Sequence, residues 1–272
     1  MNRLELLWEA DGLPTYHIPG ELESVYGGSF GLEPPLLYAN FVETLDGIVA
    51  IRSEPLSNRL VSGGSETDRF VMGLLRACAD CVLIGSGTLH GSPKALWTAE
   101  RAHPAAAGAF AELRRRLGLE AEPTLAVMTA SGAVDPVHPA FEHRAIVLTT
   151  GSGSERCREE LPAAVEIVTL YGETAVDPGE AVAALRERGC RSICSEAGPH
   201  VFGSLVAAGL VDELFLTVSP LLAGRSDLGQ RLGLVEAEEL LPDHREQARL
   251  LSIRRDGAHL FLRYGLDGRA GP

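Results

Sequence analysis

The chain has 272 residues, 45% of them hydrophobic, so it is long enough to bury the core of one large α/β domain. Its formal net charge of −13 argues against a nucleic-acid-binding surface, because such a surface needs clustered Lys and Arg. No apolar run reaches the roughly 20 residues of a membrane span, and acidic residues stand where the apolar centre of a signal peptide would lie. We therefore expect a cytoplasmic protein that has no nucleic-acid or membrane partner.

The N-terminal region contains several prolines and a Gly-Gly pair but no clear hydrophobic period. We expect residues 1–35 to form an irregular arm that wraps a single domain made by residues 36–272, and residues 4–9 are its one candidate for a short helix. Residues 36–42 form the first predicted core strand. The strand ends in a polar turn, where Asp46 has the side-chain chemistry that tight turns favour.

A helix is predicted over residues 66–78. Its start has the pattern of a capping box, in which Ser65 is followed three residues later by an acidic side chain, here Asp68. Apolar residues then repeat at helical spacing, and they are Phe70, Val71, Leu74, Leu75 and Cys78. Helix capping accounts for Asp68 as well as a contact with a ligand would, so the pattern leaves both interpretations open.

Residues 79–92 are the most informative stretch of the chain. A short apolar run, 81–84, ends in Gly85-Ser86-Gly87-Thr88, which is typical of a buried strand that runs into a glycine-rich turn. Glycines let backbone N–H groups approach a phosphate closely, and Thr88 adds a hydroxyl donor. In an open α/β sheet, ligands bind beyond the carboxyl ends of the strands. Alone, the stretch is either a cofactor-phosphate turn or an ordinary strand-to-loop turn.

The rest of the chain alternates predicted strands and helices. Asp256-Gly257 lies between two apolar runs, residues 250–254 and 259–264, and predicts a terminal hairpin. We interpret residues 150–154 as a linker. The five cysteines are expected to be small buried residues, and no metal site is predicted. Further strands are expected at 124–128, 144–149, 165–170, 192–194 and 214–218, and helices in the second half of 98–117, at 178–188 and at 200–208.

Four motifs, in chain order, resemble the pyrimidine reductase family of riboflavin biosynthesis. They are Asn40-Phe-Val-Glu-Thr-Leu-Asp-Gly47, Gly85-Ser-Gly-Thr88, Glu196-Ala-Gly-Pro199 and Val211-Asp-Glu-Leu214. The resemblance covers about residues 36–265. It implies a dihydrofolate reductase-like α/β fold, with a central, mostly parallel twisted sheet, helices on both faces and a C-terminal antiparallel hairpin. It also implies that the cofactor is NADPH and that the protein is a homodimer.

The resemblance also implies roles for individual residues. Asp46 and Glu196 are the candidate catalytic residues; a turn-capping role for Asp46 and a strand-end carboxylate role for Glu196 are the alternatives. Asp68, Lys94 and Arg101 are the candidate substrate-binding residues. NADPH would be bound by Asn40, Thr44, Gly85, Gly87, Thr88, Thr129, Ser131, Glu196, Gly198 and Pro199.

The sequence departs from the family at three places. Ala197 replaces a glycine just before the helix that would bind the pyrophosphate, and Ala130 stands where many relatives have Arg near the 2′-phosphate. After Gly91, the Asp-Asp-Pro and the Arg that serve the substrate phosphate in the biosynthetic enzymes are missing. The first two departures concern the cofactor, and the third concerns the substrate.

The expected activity is NADPH-dependent hydride transfer to the ribosylamino C1′ of a pyrimidine 5′-phosphate. One alternative is a reductase of the same fold that acts on a pterin such as dihydrofolate, or on another heterocycle. The other alternative is a nucleotide-binding module without catalysis. The zinc deaminase signature that accompanies many such reductases is absent from the sequence.

Overall fold

The computed structural model describes residues 3–54, 56–225, 229–242 and 247–266. Within these residues the strands are β1 (Glu5–Glu9), β2 (Leu36–Glu43), β3 (Ala50–Ile51), β4 (Cys81–Gly85), β5 (Thr124–Thr129), β6 (Ala145–Thr149), β7 (Glu166–Thr169), β8 (Ser192–Ser195), β9 (Glu213–Val218), β10 (Arg231–Leu232), β11 (Ala248–Asp256) and β12 (His259–Leu266). The α-helices are α1 (Gly20–Tyr26), α2 (Ser57–Val61), α3 (Glu66–Ala77), α4 (Ser86–His90), α5 (Ala99–Ala102), α6 (Ala107–Arg116), α7 (Gly151–Glu160), α8 (Pro178–Glu187) and α9 (Pro199–Ala207).

Ten of the described strands form one sheet in the order β1-β11-β12-β9-β2-β8-β4-β5-β6-β7, and β3 pairs separately with β10. The strands from β9 to β7 run parallel to their neighbours. β12, β11 and β1 continue the sheet with antiparallel pairs. Because parallel strands share one carboxyl edge, the turns after β2, β4, β8 and β9 all open at the same edge of the sheet.

The central strands are apolar because helices cover both faces of the sheet. Every residue of β4 and β6 is buried, as is usual for enclosed parallel strands. On one face α3 packs against α6, where the ring centres of Phe70 and Phe110 lie 5.9 Å apart. On the other face α8 and α9 bury Leu185 and Phe202. The predicted α/β class, with a mostly parallel sheet, helices on both faces and a C-terminal hairpin, is confirmed.

Several predicted boundaries are confirmed with their expected chemistry. The Ser65 hydroxyl accepts a hydrogen bond from the N–H of Asp68 (3.1 Å) and caps α3. Pro178 lies in the first turn of α8, and Gly189, with a φ of +87°, follows the end of that helix. Gly257, with a φ of +57°, turns the chain between β11 and β12. The five cysteines are free and buried, as expected.

The expected irregular arm at residues 1–35 contains two regular elements, at residues 5–9 and 20–26. Residues 5–9 form strand β1, not a helix, because they pair with β11 near the other end of the chain. Helix α1 follows, and its Leu22 is fully buried in the same core cluster as Leu4. The domain boundary at residue 35 stays a prediction.

Two predicted turns are helical. Residues 150–154 are not a linker: the Thr150 hydroxyl accepts the N–H of Gly153 (3.2 Å) and caps α7. The glycine-rich turn after β4 forms the short helix α4 directly. Gly and Ser have low helix propensity, so composition alone favours a loop at both places. Among the described residues, no helix combines the length and the apolar character that a membrane crossing requires.

Candidate active site

The two glycine-containing motifs meet at the carboxyl edge of the sheet. A Cβ atom added to Gly198 would lie 3.7 Å from the Thr88 hydroxyl oxygen, and one added to Gly85 would lie 3.2 Å from a methyl carbon of Val201. The turn after β4 therefore packs against the start of α9, which follows β8. The structure thus brings together residues that are separated by more than a hundred positions in the sequence.

The start of α9 has the features of an anion-binding helix N-terminus. Pro199 occupies its first turn, and that turn contains no acidic residue. The unpaired N–H groups and the helix dipole both favour a negative charge at this point. Ala197 causes no backbone strain here, because Leu56 and Ala237 are the only non-glycine residues with a positive φ in the described part of the chain.

Asp68 is a buried carboxyl group in the first turn of α3, with 6% of its surface exposed. The Thr217 hydroxyl on β9 donates a hydrogen bond to it. Burial raises the pKa of Asp68 to about 6, against the opposing effects of Thr217 and His259, and the charge of Glu196 raises it further. Asp68 can therefore hold or release a proton near neutral pH, which ordinary carboxyl groups do not do.

Glu196, directly after β8, forms a two-pronged ion pair with Arg76 on α3. Arg76 Nε and Nη2 donate to the two Glu196 oxygens at 2.7 and 2.6 Å, and the side chains are only 8% and 10% exposed. Arg76 Nη1 also donates to the carbonyl of Thr98 (3.2 Å). Burial favours the neutral form of Arg76, but the charge and the hydrogen bonds of Glu196 together outweigh burial and raise the pKa of Arg76. This fixed pair joins α3, β8 and the loop before α5.

Arg76 is a site residue that the sequence analysis does not find. On a helical wheel it lies opposite the apolar stripe of α3, a position that usually faces solvent. Here α5 packs against α3 and encloses that side as well. In the sequence, a charged helical residue that is followed by another apolar segment is only a weak indication that this residue is buried. The role of Arg76 is identified only by its contact with Glu196 in the structure.

Asp46 joins the turn after β2 to the loop after β9. Its carboxylate accepts hydrogen bonds from the Thr44 hydroxyl (2.6 Å) and from the N–H groups of Ala223 (3.0 Å) and Gly224 (2.7 Å). The Thr44 hydrogen bond, followed by those of the loop, lowers the pKa of Asp46 to about 2. Asp46 therefore has no proton to donate at neutral pH, and the geometry agrees with the turn-capping alternative.

Asn40 and Thr44 belong to the same edge of the sheet but differ in their contacts. Asn40 is half-buried on β2, on the same face as Tyr38, whose hydroxyl donates to the Leu75 carbonyl of α3 (2.7 Å). Asn40 therefore faces the α3 side, as Asp68 and Thr217 do. Thr44 is buried, and its hydroxyl also accepts the N–H of Ile48 (3.1 Å), so it is occupied by the turn.

Thr129 is the last residue of β5, and Ser131 follows it at the same edge. The buried Thr129 hydroxyl has no hydrogen-bond partner among the described residues, and the same is true of the hydroxyls of Ser195, at the end of β8, and Ser219, just after β9. Ser131 is exposed, and its hydroxyl oxygen accepts the N–H of Ala133 at 3.3 Å. Unpaired buried hydroxyls are uncommon, and these three lie at the carboxyl ends of three parallel strands.

Lys94 and Arg101 are both exposed, and neither has an ion-pair partner within the described ranges. Lys94 lies in the loop between α4 and α5, and Arg101 lies on α5. Arg76 binds the backbone of the same loop at Leu96 (3.5 Å) and Thr98, beside Glu196. The loop is therefore next to the site, although the two cations themselves are not fixed to it.

The family model described as the RibD C-terminal domain matches residues 35–261. No curated protein matches the chain. Solved structures that resemble it include a pyrimidine reductase-like protein from Corynebacterium diphtheriae (20% identity, 85% of this chain and 92% of that chain, TM-score 0.65). Others are RibD from Acinetobacter baumannii (16%, 86% and 58%, 0.64) and the riboflavin biosynthesis reductase Rib7 from Saccharomyces cerevisiae (15%, 92% and 95%, 0.55). At these identities the likenesses show the fold alone.

Proposed function

The chain belongs to the RibD C-terminal domain family, and from that membership we propose that it is an NADPH-dependent reductase of a ribosylamino-pyrimidine 5′-phosphate. The observation that carries the proposal is Asp68, a buried carboxyl group with a pKa of about 6 at the carboxyl edge of the parallel strands. Perturbed carboxyl groups of this kind are typical of general acids. Two similar structures, a pyrimidine reductase-like protein and a riboflavin biosynthesis reductase, support the substrate class.

The residues at this edge fit a phosphorylated dinucleotide. Gly198 and the first turn of α9, which begins at Pro199, offer unpaired backbone N–H groups, and the Thr88 hydroxyl lies beside them. These groups would hold the pyrophosphate. The unpaired buried hydroxyl of Thr129 supports a ligand at the adenosine end, together with Ser131.

Gly85 and Gly87 would allow the close backbone approach on the α4 side of the cofactor. Asn40, Thr44 and Glu196 would line the nicotinamide end, where β2 and β8 are neighbours. The absence of strain at Ala197 removes one reason to regard the chain as a binding module without catalysis.

When bound, NADPH supplies the hydride that reduces C1′ of the ring-opened, imine form of the substrate. The protonated carboxyl group of Asp68 donates its proton to the imine nitrogen, and the product is a ribitylamino compound. Arg76 holds Glu196 in place as a hydrogen-bond acceptor, so Glu196 orients the reactants and does not supply the proton. Asp46 orders the turn after β2 through its three accepted hydrogen bonds.

Lys94 and Arg101 are the cations proposed for the substrate phosphate. Both are exposed and unpaired among the described residues, and the loop between α4 and α5 runs beside Glu196. A lysine binds phosphate as a point charge, without the two parallel hydrogen bonds that an arginine can make. Arg101 can therefore contribute the more specific contact of the two.

A second candidate function is reduction of a pterin such as dihydrofolate, or of another heterocycle. It is favoured by the lack of a fixed phosphate site: Lys94 and Arg101 are not held by any ion pair in the described ranges. A pterin has no phosphate, so its binding would depend on a buried carboxyl such as Asp68 and not on these cations.

The first experiment is a titration of the pure protein with NADPH and with NADH, followed by fluorescence. The proposal expects tight binding of NADPH and weak binding of NADH. Turnover of the ribosylamino-pyrimidine phosphate would then support the first function, and turnover of dihydrofolate alone would support the second. Failure to bind either dinucleotide would contradict both functions.

The homodimer is also a proposal, and strand β1 is the surface that supports it. β1 is an edge of the ten-stranded sheet, and its Leu6, Leu7 and Trp8 are 43%, 47% and 45% exposed. Three adjacent apolar side chains on an edge strand are a liability for a free monomer. A second copy of the chain would cover them.

A further inference from the structure

The segment that leads into Asp68, residues 62–67, is hydrogen-bonded at both ends to the tip of the terminal hairpin, which is far from it in the sequence. On one side, the Thr67 hydroxyl donates to the Asp256 carboxylate at 2.5 Å. On the other side, His259 Nε2 lies 3.0 Å from the Ser62 carbonyl oxygen, which can only accept a hydrogen bond. Asp256 and His259 face each other across the β11–β12 turn, so one rigid tip makes both contacts.

The segment before Asp68 turns at a glycine pair that follows α2. Gly63 and Gly64 both have a positive φ, +65° and +72°, and a Cβ added to Gly64 would meet nothing within 4 Å. Glycine pairs of this kind leave the backbone many accessible conformations. The two hairpin contacts fall on either side of the pair, at Ser62 and at Thr67, and both of these residues are buried.

We propose that Asp256 and His259 are positioning residues for Asp68, and that the terminal hairpin sets where its carboxyl group points. Asp68 follows Thr67 directly, so a shift of the Thr67 contact moves the start of α3. The inference rests on the proposed role of Asp68 as the proton donor. It adds that the donor's geometry is set by a hairpin that contributes no group to the reaction itself.

Three groups act on the Asp68 carboxyl from the elements packed around it. Thr217 on β9 donates a hydrogen bond, Glu196 after β8 contributes a negative charge, and His259 on β12 contributes a positive charge when protonated. His259 thus has two separable effects, the hydrogen bond to Ser62 and the charge near Asp68. His259→Gln keeps a donor and removes the charge, whereas His259→Ala removes both.

The experiment compares Thr67→Val, which keeps the shape of the side chain and removes its hydroxyl, with Thr67→Ser, which keeps the hydroxyl. We expect kcat/KM for the ribosylamino-pyrimidine phosphate to fall by between about tenfold and a hundredfold in Thr67→Val. Thr67→Ser should restore most of it. The affinity for NADPH should not change in either variant. Arg255→Gln is the control, because Arg255 is an exposed neighbour of Asp256 on β11 that pairs with Glu5, and its kcat/KM should not change.

A titration of Asp68 itself separates this inference from the proposed function. With ¹³C-labelled aspartate, the NMR signal of Asp68 reports its pKa without any turnover. In Thr67→Val we expect that pKa to move toward the ordinary value of 3.8, because a misplaced carboxyl group gains water. His259→Gln and His259→Ala both lose the charge that lowers this pKa, so the hydrogen bond to Ser62 is tested by comparing them, and the pKa of Asp68 should be lower in His259→Ala than in His259→Gln. An unchanged titration in Thr67→Val, together with equal titrations in the two His259 variants, would overturn the positioning role.

The two failures are distinguishable. If Asp68→Asn reduces the substrate as fast as the wild-type protein, Asp68 is not the proton donor. The titration of Asp68 still tests whether the hairpin contacts position its carboxyl group. If Asp68→Asn is inactive but Thr67→Val has a normal kcat/KM and a normal Asp68 titration, and His259→Ala does not differ from His259→Gln, only the positioning role is wrong. Circular dichroism of each variant checks that it is folded.

Discussion

The carboxyl group of Asp68 combines burial at the carboxyl edge of the parallel strands with a pKa of about 6. A donor of this kind is protonated below pH 6 and loses its proton above it, so kcat/KM should fall as pH rises through about 6. Asp68→Asn should lower kcat/KM by about 10² to 10⁴ and abolish that dependence, since an amide cannot transfer a proton. Asp135→Asn is the control, because Asp135 is exposed and lies in the loop after β5. A pH profile that is the same in Asp68→Asn would contradict the assignment.

Because its pKa is raised, Asp68 lowers the free energy of unfolding at high pH, where its buried carboxyl group is charged. Its pKa is higher in the folded chain than the ordinary 3.8, so the folded state binds more protons between these values and stability falls as pH rises from about 4 to 6. Above pH 6 the cost is up to about 3 kcal/mol. Asp68→Asn should therefore raise the free energy of unfolding at pH 8 and change it little at pH 4. Urea denaturation at the two pH values checks this, and a loss of stability at pH 8 would refute it.

The ion pair between Arg76 and Glu196 should be strongly coupled, because each side chain is buried against the other. Arg76→Met alone should destabilise the fold by about 3 to 5 kcal/mol, since it leaves a buried carboxylate without its partner. The double variant Arg76→Met/Glu196→Leu should cost much less than the sum of the single changes. The exposed pair Arg156–Glu160 is the comparison, and its cycle should give less than about 1 kcal/mol. Additive single effects at Arg76 and Glu196 would contradict the buried pair.

At the scale of elements, the start of α7 depends on a glycine. A Cβ at Gly153 would lie 2.0 Å from the Thr149 hydroxyl oxygen and 2.5 Å from the Ala130 carbonyl oxygen, whereas one at Gly151 would meet nothing within 4 Å. Gly153→Ala should therefore destabilise the chain by about 1 to 3 kcal/mol through overpacking. Gly151→Ala, in the same helical turn, should be neutral or stabilise it by up to about 1 kcal/mol. Urea denaturation measures both, and equal effects would show that the close contact does not matter.

Elements with a local signal were predictable, and elements defined by distant partners were not. The capping pattern at Ser65 and the apolar stripe of α3 lie within fourteen residues, so they identify the helix directly. β1 has no such signal, because its conformation is set by pairing with β11 at the opposite end of the chain. α7 is hidden for a related reason: its glycines are poor helix formers, and packing against the loop after β5 stabilises them.

The candidate site divides in the same way. The glycine motif at residues 85–88 was found because it follows an apolar strand, and Glu196 was found because its motif resembles that of the reductase family. The capping pattern located Asp68, but its raised pKa depends on burial beside Thr217 and Glu196, which are more than a hundred residues away. Arg76 was missed since its partner lies 120 residues further along the chain. Chemistry that arises from such long-range contacts leaves no local pattern to read.

At the scale of the whole molecule, the ten-stranded sheet has two open edges of different character. At the β7 edge, the exposed residues are Glu166 and Thr169, which are polar. At the β1 edge, Leu6, Leu7 and Trp8 are all exposed. A charged or polar edge discourages association, and an apolar one favours it. The proposed homodimer should therefore form through β1.

Trp8→Lys tests the location of the interface. A charge in the middle of β1 would have to be buried without a partner, so the variant should be a monomer at concentrations where the wild-type chain is a dimer. Tyr171→Lys makes the same kind of change at another exposed aromatic residue, just after β7, and should leave the dimer intact. Light scattering coupled to gel filtration measures the mass of each protein. A dimeric Trp8→Lys would move the interface elsewhere, and a wild-type chain that stays monomeric at high concentration would end the dimer proposal, because β1 would then be exposed in the working protein.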